Sequence, residues 1–113
     1  MIRGDVGSGK TLLATMWAME DQRTIRANYH IKKKGFVLLE PEDLHNLDSA
    51  TLAIIDEAWA WLESRLSGKP INLFLSYILF QSRKKQLDLI LTTQLGEVID
   101  KRFRQMSNFI IDC

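Results

Sequence analysis

Gly4-Asp5-Val6-Gly7-Ser8-Gly9-Lys10-Thr11 (GDVGSGKT) is the stretch on which the reading of this chain turns. It fits G-x-x-x-x-G-K-[ST] at every fixed position, with Gly4, Gly9, Lys10 and Thr11 in the required places. Glycines let successive backbone N–H groups turn inward and cradle phosphate oxygens, helped by the positive end of the helix that follows. Lys10 is then placed to reach the β- and γ-phosphates of a nucleotide, and the Thr11 hydroxyl to ligate Mg²⁺. The whole cradle runs over Gly4, Asp5, Val6, Gly7, Ser8, Gly9, Lys10, Thr11 and Leu12. Such a loop hangs from the end of a buried strand, and here only Met1-Ile2-Arg3 precede it. The reading is therefore of a working but trimmed site, in which three residues still pair briefly in a sheet.

Outward from the loop, "TLLATMWAME" lacks Gly and Pro and places Leu13, Met16, Trp17 and Glu20 at helical spacing. It predicts a helix whose first turn holds Lys10 and Thr11. "IRANYHI" alternates and predicts a strand near 25–31, "GFVLLE" a further short strand, and "PEDLHNL" a short helix led by Pro41 and two acids. "TLAIIDEAW" predicts a fully buried strand over Leu52–Ile55, followed by a helix in "EAWAWLESRL" that Ser67-Gly68 and Pro70 stop. "INLFLSYILFQSRKKQ" reads as an apolar helix with a basic last turn, and "LDLILTTQ" as a second buried strand with a polar end. "EVIDKRFRQM" predicts a helix and "NFIID" a final strand. Strands alternating with helices imply an α/β fold with a parallel sheet and right-handed crossovers.

The second half of a phosphate-loop site is an acid at the end of a buried strand. "LAIIDE" supplies Asp56 for the metal and Glu57 to orient and activate an attacking water. A paired Asp-Glu at a strand end can also be a plain helix N-terminus; beside the glycine loop the catalytic reading is the stronger. An adjacent Glu favours hydrolysis over transfer to a small acceptor, because it gives water a base. Gln94, at the end of "LDLILTT", points at the γ-phosphate if its strand lies between the loop strand and the acid strand; capping of the strand end is the alternative. Charge developing on the γ-phosphoryl group calls for a cation beyond Lys10. Arg83, Arg65, Arg102 and Arg104 are the candidates, either as surface residues or as fingers reaching a neighbouring subunit.

The totals set bounds. At 113 residues with 46% hydrophobic composition, the chain is one domain, 1–113, able to bury an ordinary core. Net charge is +1, so bulk charge points to no partner class. Nine of the fifteen basic residues fall in three clusters, Lys32-Lys33-Lys34, Arg83-Lys84-Lys85 and Lys101/Arg102/Arg104. Such clusters are either solvated surface or contacts to nucleic acid. The one cysteine, Cys113, cannot form an internal disulfide. The longest apolar run, Ile71 to Phe80, is interrupted by Asn72 and Ser76 and is too short to span a bilayer. A soluble protein of a reducing cytoplasm is expected. Trp59 and Trp61 flank the acid pair and suit either core packing or a subunit contact.

"GDVGSGKT", "LAIIDEAWAWLESR", "QSRKKQLDLILTTQ" and "IDKRFRQMSNFIIDC" stand in the order and approximate spacing of the FtsK/HerA superfamily of DNA-pumping ATPases, which this chain resembles. The closest likeness is to the zonula occludens toxin-like (Zot-like) branch of phages, archaeal viruses and mobile elements, to which "ANYHI" adds. The first two motifs are common to many ATPases; "SRKK…LILTTQ" is the more discriminating. The resemblance implies a P-loop NTPase three-layer sandwich of the additional-strand (ASCE, RecA-like) type, sheet order 5-1-4-3-2, working with ATP and Mg²⁺ as a homo-oligomeric ring, often a hexamer. It implies a motor that translocates or packages DNA, in the host cytoplasm for a viral or mobile element. By position, Lys10 and Thr11 match the phosphate loop (Walker A), Asp56 and Glu57 the acid pair (Walker B), Gln94 the strand-4 glutamine and Arg83 the arginine before that strand. Arg65 matches a second recurrent arginine. The chain departs from the family in its very short first strand, whose loss would leave a gap in the sheet, and in stopping directly after the last strand. Two other readings stand beside the motor: a nucleotide-binding assembly module with little turnover, and a small-molecule kinase, against which Glu57 and the Gln94 strand speak.

Overall fold

The structure, a computed structural model, describes residues 2–4, 9–48, 50–65, 71–85, 87–93 and 111–112. Among the described residues six parallel strands make one sheet: β1 (Ile2–Arg3), β2 (Thr24–Ala27), β3 (Val37–Leu38), β4 (Thr51–Ile55), β5 (Asp88–Thr93) and β6 (Ile111–Asp112). Their order is β3-β2-β4-β5-β1-β6. The helices are α1 (Lys10–Glu20), α2 (Ala58–Arg65) and α3 (Ile71–Lys85), and Pro41–Asn46 forms a 3-10 turn. The fold is α/β with a parallel sheet.

Strand β4 shows why the chain builds this sheet. All five of its residues are buried, as a continuous apolar run flanked by helices on both faces should be. Successive side chains point to opposite faces. Ala53 and Ile55 join Leu62 of α2, Ile78 of α3 and Leu91 of β5 in one apolar cluster. Leu52 and Ile54 join Ala14 and Ala18 of α1, with Ile2 and Ile25, in the other. Full burial of one Ile contributes about 1.5–3 kcal/mol, so β4 anchors both layers.

The short first strand is formed. Ile2 and Arg3 pair with Thr92 and Thr93 of β5 on one side, and with Ile111 and Asp112 of β6 on the other. Ile2 is 1% exposed, so two residues with neighbours on both sides are enough to close the gap that loss of this strand would open. Gly4 N–H continues the ladder by donating to Thr93 C=O at 3.1 Å, which carries the chain straight into the loop.

Several element boundaries differ from the sequence reading. The strand expected near 25–31 ends at Ala27; Asn28 N–H still donates to Ile54 C=O at 3.3 Å, and beyond it the Asn28 side chain, not further backbone, pairs with the Asp56 backbone. The short helix at Pro41 is a 3-10 turn, closed by a reciprocal bond between Glu40 and Asp43. In α1 the buried face is Lys10, Ala14 and Ala18, whereas Leu12, Met16, Trp17 and Met19 are exposed. The large apolar residues disclose the helix, but small ones let it lie close to the sheet. Trp59 and Trp61 are partly buried and pack against the α2–α3 side of the core. The helix expected in "EVIDKRFRQM" and the stop at Ser67, Gly68 and Pro70 lie outside the described residues.

Candidate functional site

In a parallel α/β sheet, ligands bind beyond the carboxyl ends of the strands. Here those ends carry Gly4 after β1, Asn28 after β2, Asp56-Glu57 after β4, and Thr92-Thr93 closing β5. β5 lies between the loop strand and the acid strand, the arrangement that gives the end of β5 access to both.

Gly9 closes the loop with φ +90, a left-handed conformation that favours glycine. A Cβ there would meet nothing within 4 Å, so the requirement is conformational rather than steric. Gly9 is the N-cap of α1, and its C=O accepts from Leu13 N–H at 3.0 Å. The helix thus begins at the residue that carries the candidate phosphate ligand.

Two contacts join the loop to the acid pair. Lys10 Nζ lies 2.8 Å from Glu57 Oε1, with the lysine side chain 5% exposed and the glutamate 33%. Thr11 Oγ1 donates to Asp56 Oδ1 at 2.7 Å, across 45 residues of sequence. A buried lysine needs a partner, and Glu57 supplies one. A hydroxyl and a carboxylate oxygen in contact are a hard donor pair. Mg²⁺ uses one or two carboxylates, keeps several waters, and takes its remaining ligands from substrate phosphates, so the chemistry of Thr11 and Asp56 fits it.

The acid pair is held from both neighbouring strands. On the β5 side, Thr92 Oγ1 donates to the same Asp56 Oδ1 at 2.6 Å and accepts from Glu57 N–H at 2.8 Å. On the β2 side, Asn28 forms a two-way bond with the Asp56 backbone: Asn28 Nδ2 donates to the carbonyl at 2.8 Å, and Asn28 Oδ1 accepts from the amide at 2.8 Å. Glu57 itself has φ +50, a left-handed state that costs a non-glycine residue about 1–2 kcal/mol. Its N–H bond to Thr92, the Trp61 N–H bond to its carbonyl at 3.0 Å and the Lys10 ion pair maintain that conformation together.

A second ring of contacts supports the first. Thr15 Oγ1, one turn beyond Thr11, donates to Thr11 C=O at 2.8 Å and lies 2.8 Å from Tyr29 OH. The Thr15 proton goes to the carbonyl, so the phenol is the donor to Thr15. Burial pushes the Tyr29 phenol above its usual range; the Thr15 bond opposes that shift and the Asp56 charge adds to it. Tyr29 therefore stays protonated and able to donate.

Of the residues singled out in the sequence, Lys10, Thr11, Asp56 and Glu57 are brought together. Arg65 pairs instead with Glu40 at 3.4 Å on exposed surface. Asp5, Val6, Gly7, Ser8, Gln94, Arg102 and Arg104 lie outside the described residues, as does the Arg83 side chain. Within the basic clusters, Lys33 Nζ is bonded to the Ala18 and Asp21 carbonyls at the end of α1, and Lys85 Nζ to Leu47 C=O at 3.4 Å. Lys32, Lys34 and Lys84 face solvent. Lys32 and Lys34 border an open hollow of about 290 Å³ with His30 and Phe36, whose rings meet edge to face at 5.5 Å. No helix among the described residues is long and apolar enough to cross a membrane.

Thr92, Asn28, Thr15 and Tyr29 are the hydrogen-bonding neighbours of the candidate site that sequence reasoning did not single out. The signal for Thr92 is positional, a polar residue where the apolar run of "LILTT" ends; Asn28 follows directly on the mixed strand "TIRA" and carries only the signal of a turn-favouring residue at a strand end. No protein-family model matches the chain, and no curated protein matches its sequence.

Proposed function

We propose that this chain is an ATP-hydrolysing domain of the P-loop, additional-strand class, and that it acts as a motor on DNA in an oligomeric ring. The observation that carries the hydrolytic reading is the convergence of Lys10 and Thr11 on Glu57 and Asp56, at 2.8 and 2.7 Å. Support for the class comes from the strand order: with the edge strand β3 set aside and the other five counted along the chain, β6-β1-β5-β4-β2 agrees with the 5-1-4-3-2 that the resemblance implies.

The roles follow from the contacts. Lys10 Nζ, bound to Glu57 in the resting site, is the cation for β- and γ-phosphates. Phosphate oxygens compete with Glu57 for Lys10, and as Lys10 turns to them the Glu57 carboxylate becomes free to accept a proton from water. Thr11 and Asp56 would hold Mg²⁺, which neutralises charge on the phosphates when bound. Gln94 and an arginine from a neighbouring copy, Arg83 first among the candidates, complete the proposal. The DNA component rests on the FtsK/HerA resemblance, with the solvent-facing Lys32, Lys34 and Lys84 as available phosphate contacts. Binding through such lysines is independent of base sequence and weakens with salt.

The test is steady-state ATP hydrolysis against protein concentration, with and without DNA, beside Glu57→Gln. Turnover should rise with protein concentration and with DNA, and fall by about 10²–10⁴-fold in the variant while nucleotide still binds. ATP binding without turnover at any concentration would replace the motor by a nucleotide-binding assembly module. Monomeric transfer to an added acceptor, indifferent to DNA, would indicate a kinase.

A further inference from the structure

We propose that Thr92 is the positioning residue that couples the metal-side carboxylate, Asp56, to the water-side carboxylate, Glu57. The inference rests on the hydrolytic reading of this site and adds to it a residue that neither the phosphate loop nor the acid pair contains.

Thr92 is 0% exposed, so its hydroxyl has no water to turn to and must satisfy its proton and its lone pairs within the protein. It has one proton to give. The Glu57 amide can only donate, so it fixes the hydroxyl as acceptor at 2.8 Å; the hydroxyl proton then goes to Asp56 Oδ1 at 2.6 Å. The direction of the chain is set: Glu57 N–H to Thr92 O–H to Asp56 Oδ1, where the Thr11 hydroxyl also arrives at 2.7 Å.

This single hydroxyl therefore ties three parts of the site. It orients the oxygen that meets Thr11, and it anchors the amide of a residue in a left-handed conformation, φ +50. That conformation sends the Glu57 side chain back to Lys10. Glu57 cannot relax to an ordinary backbone conformation without abandoning Thr92, and Asp56 cannot rotate without leaving the proton of the fully buried Thr92 hydroxyl unaccepted. Thr92 acts through these two residues and is not itself placed to touch substrate.

The experiment compares Thr92→Val, of the same shape without the hydroxyl, with Thr92→Ser, which keeps it. Thr92→Cys, whose thiol is a weak donor, replaces Thr92→Val if that variant does not fold. Three quantities are read: hydrogen exchange at the Glu57 amide, the melting-temperature gain from ATP with EDTA against ATP with Mg²⁺, and kcat beside KM for ATP. In Thr92→Val the Glu57 amide should exchange faster and the extra gain from Mg²⁺ should vanish, while the gain from ATP in EDTA persists. Turnover should drop by about 10–100-fold in kcat, with KM for ATP under Mg²⁺ rising toward the affinity seen in EDTA, and Thr92→Ser should restore all three.

Retention of the Mg²⁺ increment and of slow Glu57 exchange in Thr92→Val would overturn the proposal. So would Thr92→Ser failing as fully as Thr92→Val, since packing of the methyl group would then be what matters. If the unaltered protein gains no stability from ATP, the nucleotide reading fails on its own. The coupling is then decided by the Glu57 amide, whose exchange must rise in Thr92→Val and recover in Thr92→Ser.

Discussion

The two ends of this sheet carry similar charged and polar residues to opposite effect. Beyond the carboxyl ends of the strands, Asp56 and Glu57 meet Lys10, Thr11, Thr92 and Asn28. At the amino ends, Asp21 and Asp88 meet Arg23, with Arg23 Nη2 to Asp21 Oδ2 at 2.8 Å and Arg23 Nη1 to Asp88 Oδ2 at 2.7 Å. The distances hardly differ between the two ends. Exposure does: the Lys10 side chain is 5% exposed, whereas those of Arg23 and Asp88 are 32% and 69% exposed. Water competes for every bond in the Arg23 cluster and screens its charges. It is excluded from Thr92 and from most of Lys10, so those two groups depend on their protein partners. Contact distance alone does not identify a site; contact together with burial does.

The sharpest way to break this comparison is to delete one carboxylate at each end. Asp56→Ala removes the acceptor of two hydroxyls, one of them fully buried, and should cost about 1–3 kcal/mol in urea unfolding. The same variant should lose the Mg²⁺-dependent part of any nucleotide stabilisation. Asp88→Ala should cost under about 1 kcal/mol and leave nucleotide response unchanged. Equal losses at both ends would show that burial is not the difference.

A smaller effect is expected from Asn28→Ala, which removes the two-way bond with the Asp56 backbone. Asn28 is only partly buried, so water can take over some of what is lost. A cost of about 1–2 kcal/mol, with hydrolysis reduced less than in Thr92→Val, would rank the two neighbours of the acid pair. A larger loss than in Thr92→Val would reverse that ranking.

The smallest effect concerns pH at the amino end. The side-chain bond from Arg23 holds the Asp21 carboxyl down at about 2, against an ordinary value of 3.8. A carboxyl lowered on folding contributes stability above its unfolded pKa, and that contribution fades as pH falls toward the folded value. The unaltered protein should therefore lose a small increment of stability between about pH 4 and pH 2. Asp21→Asn should flatten that stretch of the acid limb without altering nucleotide response at neutral pH. An unchanged acid limb would mean that solvent already cancels the Arg23 contact.

What could be read in the sequence was local. The spacing of Gly4, Gly9, Lys10 and Thr11 is a property of eight consecutive residues. The buried run of β4 ends in its acids, and the alternation of strands and helices leads to a parallel sheet without any knowledge of contacts. Boundaries were less legible, because the Asn28 side chain ends its strand on the Asp56 backbone just past β4, a partner that no local pattern discloses. Only the tertiary structure decided that β5 lies between the loop strand and the acid strand, and that two residues of β1 suffice once both sides are paired. It alone brought Thr92 across 36 residues to Asp56 and turned Glu57 back to Lys10. The physical reason is that periodicity and propensity act over one or two turns of chain. A buried hydrogen bond is instead decided by which strand ends adjoin and by where water cannot follow.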